Sequence, residues 1–111
     1  MAVWRETLLS VIKRMSILSS ERSKGIKFSL SPGVLEISVN NPDLGDAMEV
    51  IDVDYSGDNL SVIFNGRYLI EGLSAISDDD VIMEVKDVMS PGILRPKNGQ
   101  AYKYIIMPMR F

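Results

Sequence analysis

The sequence contains neither cysteine nor histidine. Without cysteine there can be no disulfide, thiolate metal site or cysteine nucleophile. Without histidine the usual general base is missing, and so is the commonest transition-metal ligand. A Ser-His-Asp triad cannot be assembled from this chain. These absences weigh against an enzyme, although carboxylates and lysines remain. The apolar runs are only a few residues long, too short to span a bilayer. The start, Met1 to Glu6, lacks the apolar stretch of a signal peptide. The expectation is a soluble, cytoplasmic protein with no membrane partner. Basic residues are not in excess either. The chain has 12 Lys and Arg against 15 Asp and Glu, a net charge of −3, so no whole-chain charge advertises nucleic acid.

What is present suits one domain. The chain has 111 residues, 46% apolar and 24% charged, close to ordinary globular usage. A chain of this size buries roughly 65% of its unfolded surface, enough for a modest core.

Residues 5 to 18 read as an amphipathic helix, with Leu8, Val11, Ile12, Met15 and Leu18 on one face. The polar run 18 to 25 reads as a loop. The period then changes from helical to two. Ile26, Phe28 and Leu30 alternate with polar residues, Ser31-Pro32-Gly33 turns the chain, and Leu35, Ile37 and Val39 alternate again. This predicts a hairpin. A third alternating run covers 46 to 54, with Met48, Val50 and Val53 expected on one face and Glu49 on the other. Leu60 to Phe64 is a further strand. Asn65 is a good N-cap for a second helix over 66 to 76, because its side-chain oxygen can accept a free N–H of the first turn. Tyr68, Leu69, Ile70, Leu73 and Ile76 supply its apolar stripe. Gly72 inside it costs roughly 1 kcal/mol against alanine, which a close helix contact would explain. Strand patterns follow at 81 to 86, 92 to 96 and 101 to 107. The order suggests two similar halves, each laying a helix on an antiparallel sheet: an α+β domain with both helices on one side.

Four features could carry function. Asp78-Asp79-Asp80 could hold a hard cation, but it lacks the spacing of a calcium loop, and a solvated turn is the plainer reading. Asp43, Asp46, Glu49, Asp52 and Asp54 make one side of the third strand acidic, either to protect an edge strand or to meet a basic partner. Lys13, Arg14, Arg22 and Lys24 form a basic cluster, either a solvated face or a phosphate-binding one. The C-terminus, Tyr104-Ile105-Ile106-Met107-Pro108-Met109-Arg110-Phe111, is apolar nearly to its last residue, whereas chain ends are usually polar and frayed. Pro108 stops regular pairing. The residues after it then need another purpose, such as lining a groove, for which flexible methionines are suited.

The C-terminal run, together with Ser90-Pro91-Gly92-Ile93-Leu94-Arg95-Pro96, resembles the end of bacterial sliding clamps, the β subunit of DNA polymerase III. Val11 to Ser19 with Lys24-Gly25, Asn40-Asn41-Pro42, Asp54-Tyr55-Ser56-Gly57, and Phe64-Asn65 leading to Tyr68-Leu69 fit the same family. The resemblance spans essentially the whole chain and is to the family's third domain alone. The chain is therefore expected to be an excised domain, with Met1 and Ala2 an artificial start and Val3-Trp4 the remnant of a first strand.

The resemblance implies a DNA-clamp domain: two helices lining the DNA hole, about eight strands in two sheets outside, and no catalysis or cofactor. In the family two chains of three domains close into a ring. The resemblance further implies a pocket for short peptide motifs of polymerases, the clamp loader and repair proteins, of the Gln-x-x-Leu-Phe kind. Its wall would be Asn65, Tyr68, Met89, Pro91, Ile105, Met107, Pro108, Met109 and Arg110. Part of that pocket belongs to the family's second domain. Ile17, Leu18, Asp43, Asp46 and Glu49 match subunit-interface positions, and Lys24, with Arg14 and Arg22, matches the DNA-facing side. Alone, the domain is expected to be monomeric and to bind double-stranded DNA barely at all. The competing readings are a stand-alone structural or oligomerisation module and a carboxylate-based metal enzyme.

Overall fold

The computed structural model describes residues 1–18, 25–41, 45–77, 79–87, 89–97 and 103–109. Among these the elements run β1 (Ala2–Trp4), α1 (Arg5–Leu18), β2 (Gly25–Ser31), β3 (Val34–Asn41), β4 (Gly45–Asp52), β5 (Leu60–Asn65), α2 (Gly66–Ser74), β6 (Asp80–Glu84), β7 (Gly92–Pro96) and β8 (Tyr104–Ile106). The order is strand, helix, three strands, stated twice. The strands form two antiparallel four-stranded sheets, β1-β6-β7-β8 and β4-β3-β2-β5.

The two halves are not separate layers, as a simple tandem reading would have them. β1 pairs with β6, and β5 pairs with β2. Each half thus lends its first strand to the other half's sheet. An isolated bridge between Ala2 and Asp54 links the sheets further.

The helices form where the apolar spacing places them. In α1 the buried residues are Leu8, Val11, Ile12 and Met15; in α2 they are Gly66, Leu69, Gly72 and Leu73. The helices pack on each other, α1 also against β1 to β4, and α2 against β5 and β8. Ile26, Phe28 and Leu30 of β2, Leu35, Ile37 and Val39 of β3, and Val62 and Phe64 of β5 face into the same core. Phe28 and Phe64 meet edge to face at 5.7 Å between centroids, a geometry that aligns ring edge with ring face. The hairpin turn lies at Pro32-Gly33, with Gly33 at φ +77°, a conformation that glycine adopts without a Cβ penalty.

Several boundaries differ from the pattern reading. α2 ends at Ser74 and is capped at Ala75; Ile76 is buried beyond its end. β6 stops at Glu84, and β8 is confined to Tyr104–Ile106 within the described residues. In β4, Met48 and Val50 share a side and Glu49 lies on the other, as expected; the shared side is the exposed one, with Asp46 and Asp52. Val53 is buried beyond the strand's end and is not on that face. The acidic side is corrected: Glu49 does not share a face with Asp46 and Asp52. β4 is an edge strand with one neighbour, and α1 packs on its inner face, where a charged side chain finds a partner.

Candidate functional site

Strand pairing brings some of the predicted pocket segments side by side. β8 pairs with β7, placing Ile105 opposite Ile93 and Ile106 opposite Gly92. This register brings the chain before Gly92, including Pro91, beside the chain after Ile106, including Met107. Beyond Ile106 pairing stops, as Pro108 requires. The segment then reaches β5, where the Met109 N–H donates to the Ile63 carbonyl at 2.7 Å. The run from Tyr104 to Met109 therefore passes from α2 back to the strand that leads into α2.

Asn65 stands at that junction. Its Oδ1 accepts the Arg67 N–H at 2.9 Å, capping α2 as the sequence predicts and leaving the amide NH₂ as the group able to donate outward. Tyr68 lies off the buried stripe of α2. Tyr68, Met89, Ile105 and Met107 are 50%, 56%, 63% and 62% exposed. Each is a large apolar side chain left exposed, Tyr68 on α2, Met89 before β7, and Ile105 and Met107 at the end of the described chain. Pro108 and Met109 are half-buried, and Pro91 is exposed. Arg110 lies outside the described residues.

Two contacts that the sequence reading did not find shape this region. The first is Gly72 against β8. A Cβ there would lie 2.7 Å from Tyr104 Cδ1 and 3.1 Å from Leu94 Cδ1. The Tyr104 hydroxyl also donates to Glu71 Oε2 at 3.2 Å. The helix contact expected at Gly72 is corrected: its close neighbour is a strand aromatic, Tyr104, which fastens α2 to β8. The second is Asp87, whose Oδ1 accepts the backbone N–H groups of Met89 and Ser90, each at 2.8 Å. The Met89 N–H first, then Ser90, holds the Asp87 carboxyl below the usual aspartate range. An Asp three residues before Ser-Pro is the signal that could have revealed this turn.

The predicted interface residues also come together, at the far end of α1. The buried Asn41 donates from Nδ2 to the Leu18 carbonyl at 2.6 Å, and Asn41 lies opposite Gly45 in the β3–β4 register. The C-terminal end of α1 thus sits over the Asp46 end of β4. Ile17 there is 78% exposed, and Leu18 is half-buried. One turn back, Arg14 Nε donates to Glu49 Oε2 at 2.9 Å and Nη2 to Oε1 at 2.7 Å. The hydrogen bonds hold the Glu49 carboxyl below its usual range and raise Arg14. Arg14, expected to face DNA, pairs its guanidinium with Glu49 of β4. Asp43, Arg22 and Lys24 lie outside the described residues, as does Asp78 of the acidic run. Among the described residues no group of three carboxylates is arranged to hold a metal. No described helix is long and apolar enough to cross a membrane.

Residues 1–110 match the family described as DNA polymerase III beta subunit, C-terminal domain. The chain belongs to that family. It is similar to the beta sliding clamp of Pseudomonas putida, 36% identical over 106 residues that cover 96% of this chain and 29% of that protein. It is also similar to the beta sliding clamp of Escherichia coli K12, 33% identical over 105 residues, 95% of this chain and 29% of that one. Among solved structures, a DNA polymerase sliding clamp from Pseudomonas aeruginosa superposes with a TM-score of 0.95 at 34% identity, covering 99% of this chain and 30% of that one. A Bartonella birtlesii sliding clamp bound to griselimycin superposes with a TM-score of 0.93 at 31% identity, again over 99% of this chain and 30% of that one. The chain thus spans under a third of the length of the curated relatives it matches. The family match bears out the two-helix, two-sheet clamp-domain architecture.

Proposed function

We propose that this chain serves as the C-terminal domain of a DNA sliding clamp, a non-catalytic processivity factor of DNA replication. In that reading the exposed patch of Tyr68, Met89, Ile105 and Met107 is a docking pocket for short peptide motifs of polymerases, the clamp loader and repair proteins. The observation that carries it is this set of exposed apolar side chains, with the C-terminal segment pinned by β7 pairing and by the Met109–Ile63 bond. A peptide leucine or phenylalanine buried there gains on the order of 2 kcal/mol. The Asn65 amide, and Arg110 by the family resemblance, would bond the peptide's polar groups. The end of α1 with Ile17 and Leu18, and the open edge of β4 with Asp46 and Glu49, together with Asp43 by the resemblance, would meet a neighbouring subunit in a homodimeric ring. DNA inside such a ring would be held non-specifically, through salt-sensitive phosphate contacts, for which Lys24 and Arg22 are the candidates the resemblance names.

The test is a titration of the domain with a Gln-x-x-Leu-Phe peptide, followed by amide NMR. Shifts are expected at Tyr68, Met89 and residues 105–109. Met107→Ala should weaken binding roughly five- to tenfold, from the buried thioether area it removes. The absence of any shift at millimolar peptide would overturn a pocket carried by this domain.

A further inference from the structure

Met89 and Pro91, which the family resemblance puts in the pocket wall, lie on a connection and not on a described strand or helix. β6 ends at Glu84 and β7 begins at Gly92. A wall built on such a connection has to be held, because each residue left unordered costs binding free energy when the ligand orders it. The hold visible here is Asp87. One carboxylate oxygen, Oδ1, receives two successive N–H groups, those of Met89 and Ser90, at 2.8 Å each. We propose that Asp87 is a positioning residue for peptide binding: its carboxylate fixes the backbone of Met89 and Ser90 and so presents Met89 and Pro91 to the peptide. This inference rests on the pocket reading above and adds to it a residue outside the patch itself.

The placement separates a positioning role from a stabilising one. Asp87 and Met89 are exposed. If the carboxylate is removed, water can take the two N–H groups, so the folded domain loses little. What is lost is the fixed course of the chain at Met89. The effect should therefore appear in affinity more than in melting temperature. The acceptor geometry, not the charge, is what the turn requires, and an asparagine oxygen supplies it.

The experiment uses the 111-residue chain and the pentapeptide Gln-Ser-Ser-Leu-Phe, with Asp87→Ala, Asp87→Asn and Met107→Ala as variants. Asp87→Ala should weaken binding roughly three- to tenfold, the cost of ordering about one residue, with at most a small fall in melting temperature. The Met89 and Ser90 amides should lose their hydrogen-bonded shifts. Asp87→Asn should restore affinity to within about twofold of the parent. Full affinity in Asp87→Ala while Met107→Ala is weakened would overturn the role of Asp87 and leave the pocket standing. Loss in Asp87→Asn equal to that in Asp87→Ala would overturn the acceptor account. If the parent chain itself fails to bind, the pocket reading falls, and this inference falls with it.

Discussion

Gly72→Ala tests the packing that fixes α2 beside β8. In an open helix interior this change stabilises by about 1 kcal/mol, because alanine has the better helix propensity. Here the new Cβ would stand 2.7 Å from Tyr104 Cδ1, 3.0 Å from Cγ and 3.1 Å from Leu94 Cδ1. The obstructing atoms include the root of an aromatic ring, which cannot swing aside as a flexible chain end can. The ring is also tied through its hydroxyl to Glu71 on the same helix. Overpacking of this kind costs roughly 1–3 kcal/mol. With the ring held at both ends, the upper part of that range applies. The net expectation is a loss of about 1–2 kcal/mol, a fall in Tm of roughly 4–10 °C for a domain of this size. Urea unfolding of Gly72→Ala and Tyr104→Ala, singly and together, reads it directly. In the Tyr104→Ala background the ring is gone, so Gly72→Ala should change sign and stabilise by about 1 kcal/mol. If Gly72→Ala stabilises the parent protein, or costs the same in both backgrounds, the packing argument is wrong.

Other expectations follow from the α1 end of the molecule. The Glu49 carboxyl, held below its usual range by Arg14, contributes stability that is fully present above the unfolded-state value of 4.5. That contribution is lost as pH falls through the lower folded value. Side-chain carboxyl NMR should place the Glu49 midpoint below the ordinary glutamate range and return it there in Arg14→Gln; an unchanged midpoint in the variant would refute the pairing. Asn41→Ala removes a bond to the Leu18 carbonyl and should cost about 1–3 kcal/mol in urea unfolding. Asn41→Asp should cost more, since it sets a carboxylate against a carbonyl at the negative end of α1; a smaller loss for Asp than for Ala would contradict the cap.

The elements were legible wherever one periodicity ruled a segment. α1, the β2–β3 hairpin and the Asn65 cap all follow from residue spacing, because burial on a single face leaves that pattern in the sequence. β4 shows the limit. Its alternation is plain, but alternation does not say which face is inward. Met48 and Val50 face outward, and Glu49 lies on the side that α1 covers, where it pairs with Arg14. The exchange of β1 and β5 was likewise invisible, since pairing between distant strands leaves no local mark. At the candidate site, the apolar C-terminus and Tyr68 stood out by composition and by family resemblance. Asp87 and the Gly72–Tyr104 contact did not. Both act on backbone placement, and the partners they hold lie in other segments or are main-chain groups with no residue identity.

The strand exchange also sets an order of events. During synthesis from the N-terminus, β2, β3 and β4 can assemble early, because their pairings are local. β2 then keeps a bare edge until β5 has been made, and β1 waits for β6, on the far side of α2. Neither sheet can close before most of the chain exists, and the two close in a linked way. A bare edge strand is an invitation to pair with another chain. The interval between β4 and β6 is therefore when this fold is most exposed to misassembly, and Asp46 and Asp52, exposed on the outer face of β4, place like charges along the other edge of that half-built sheet.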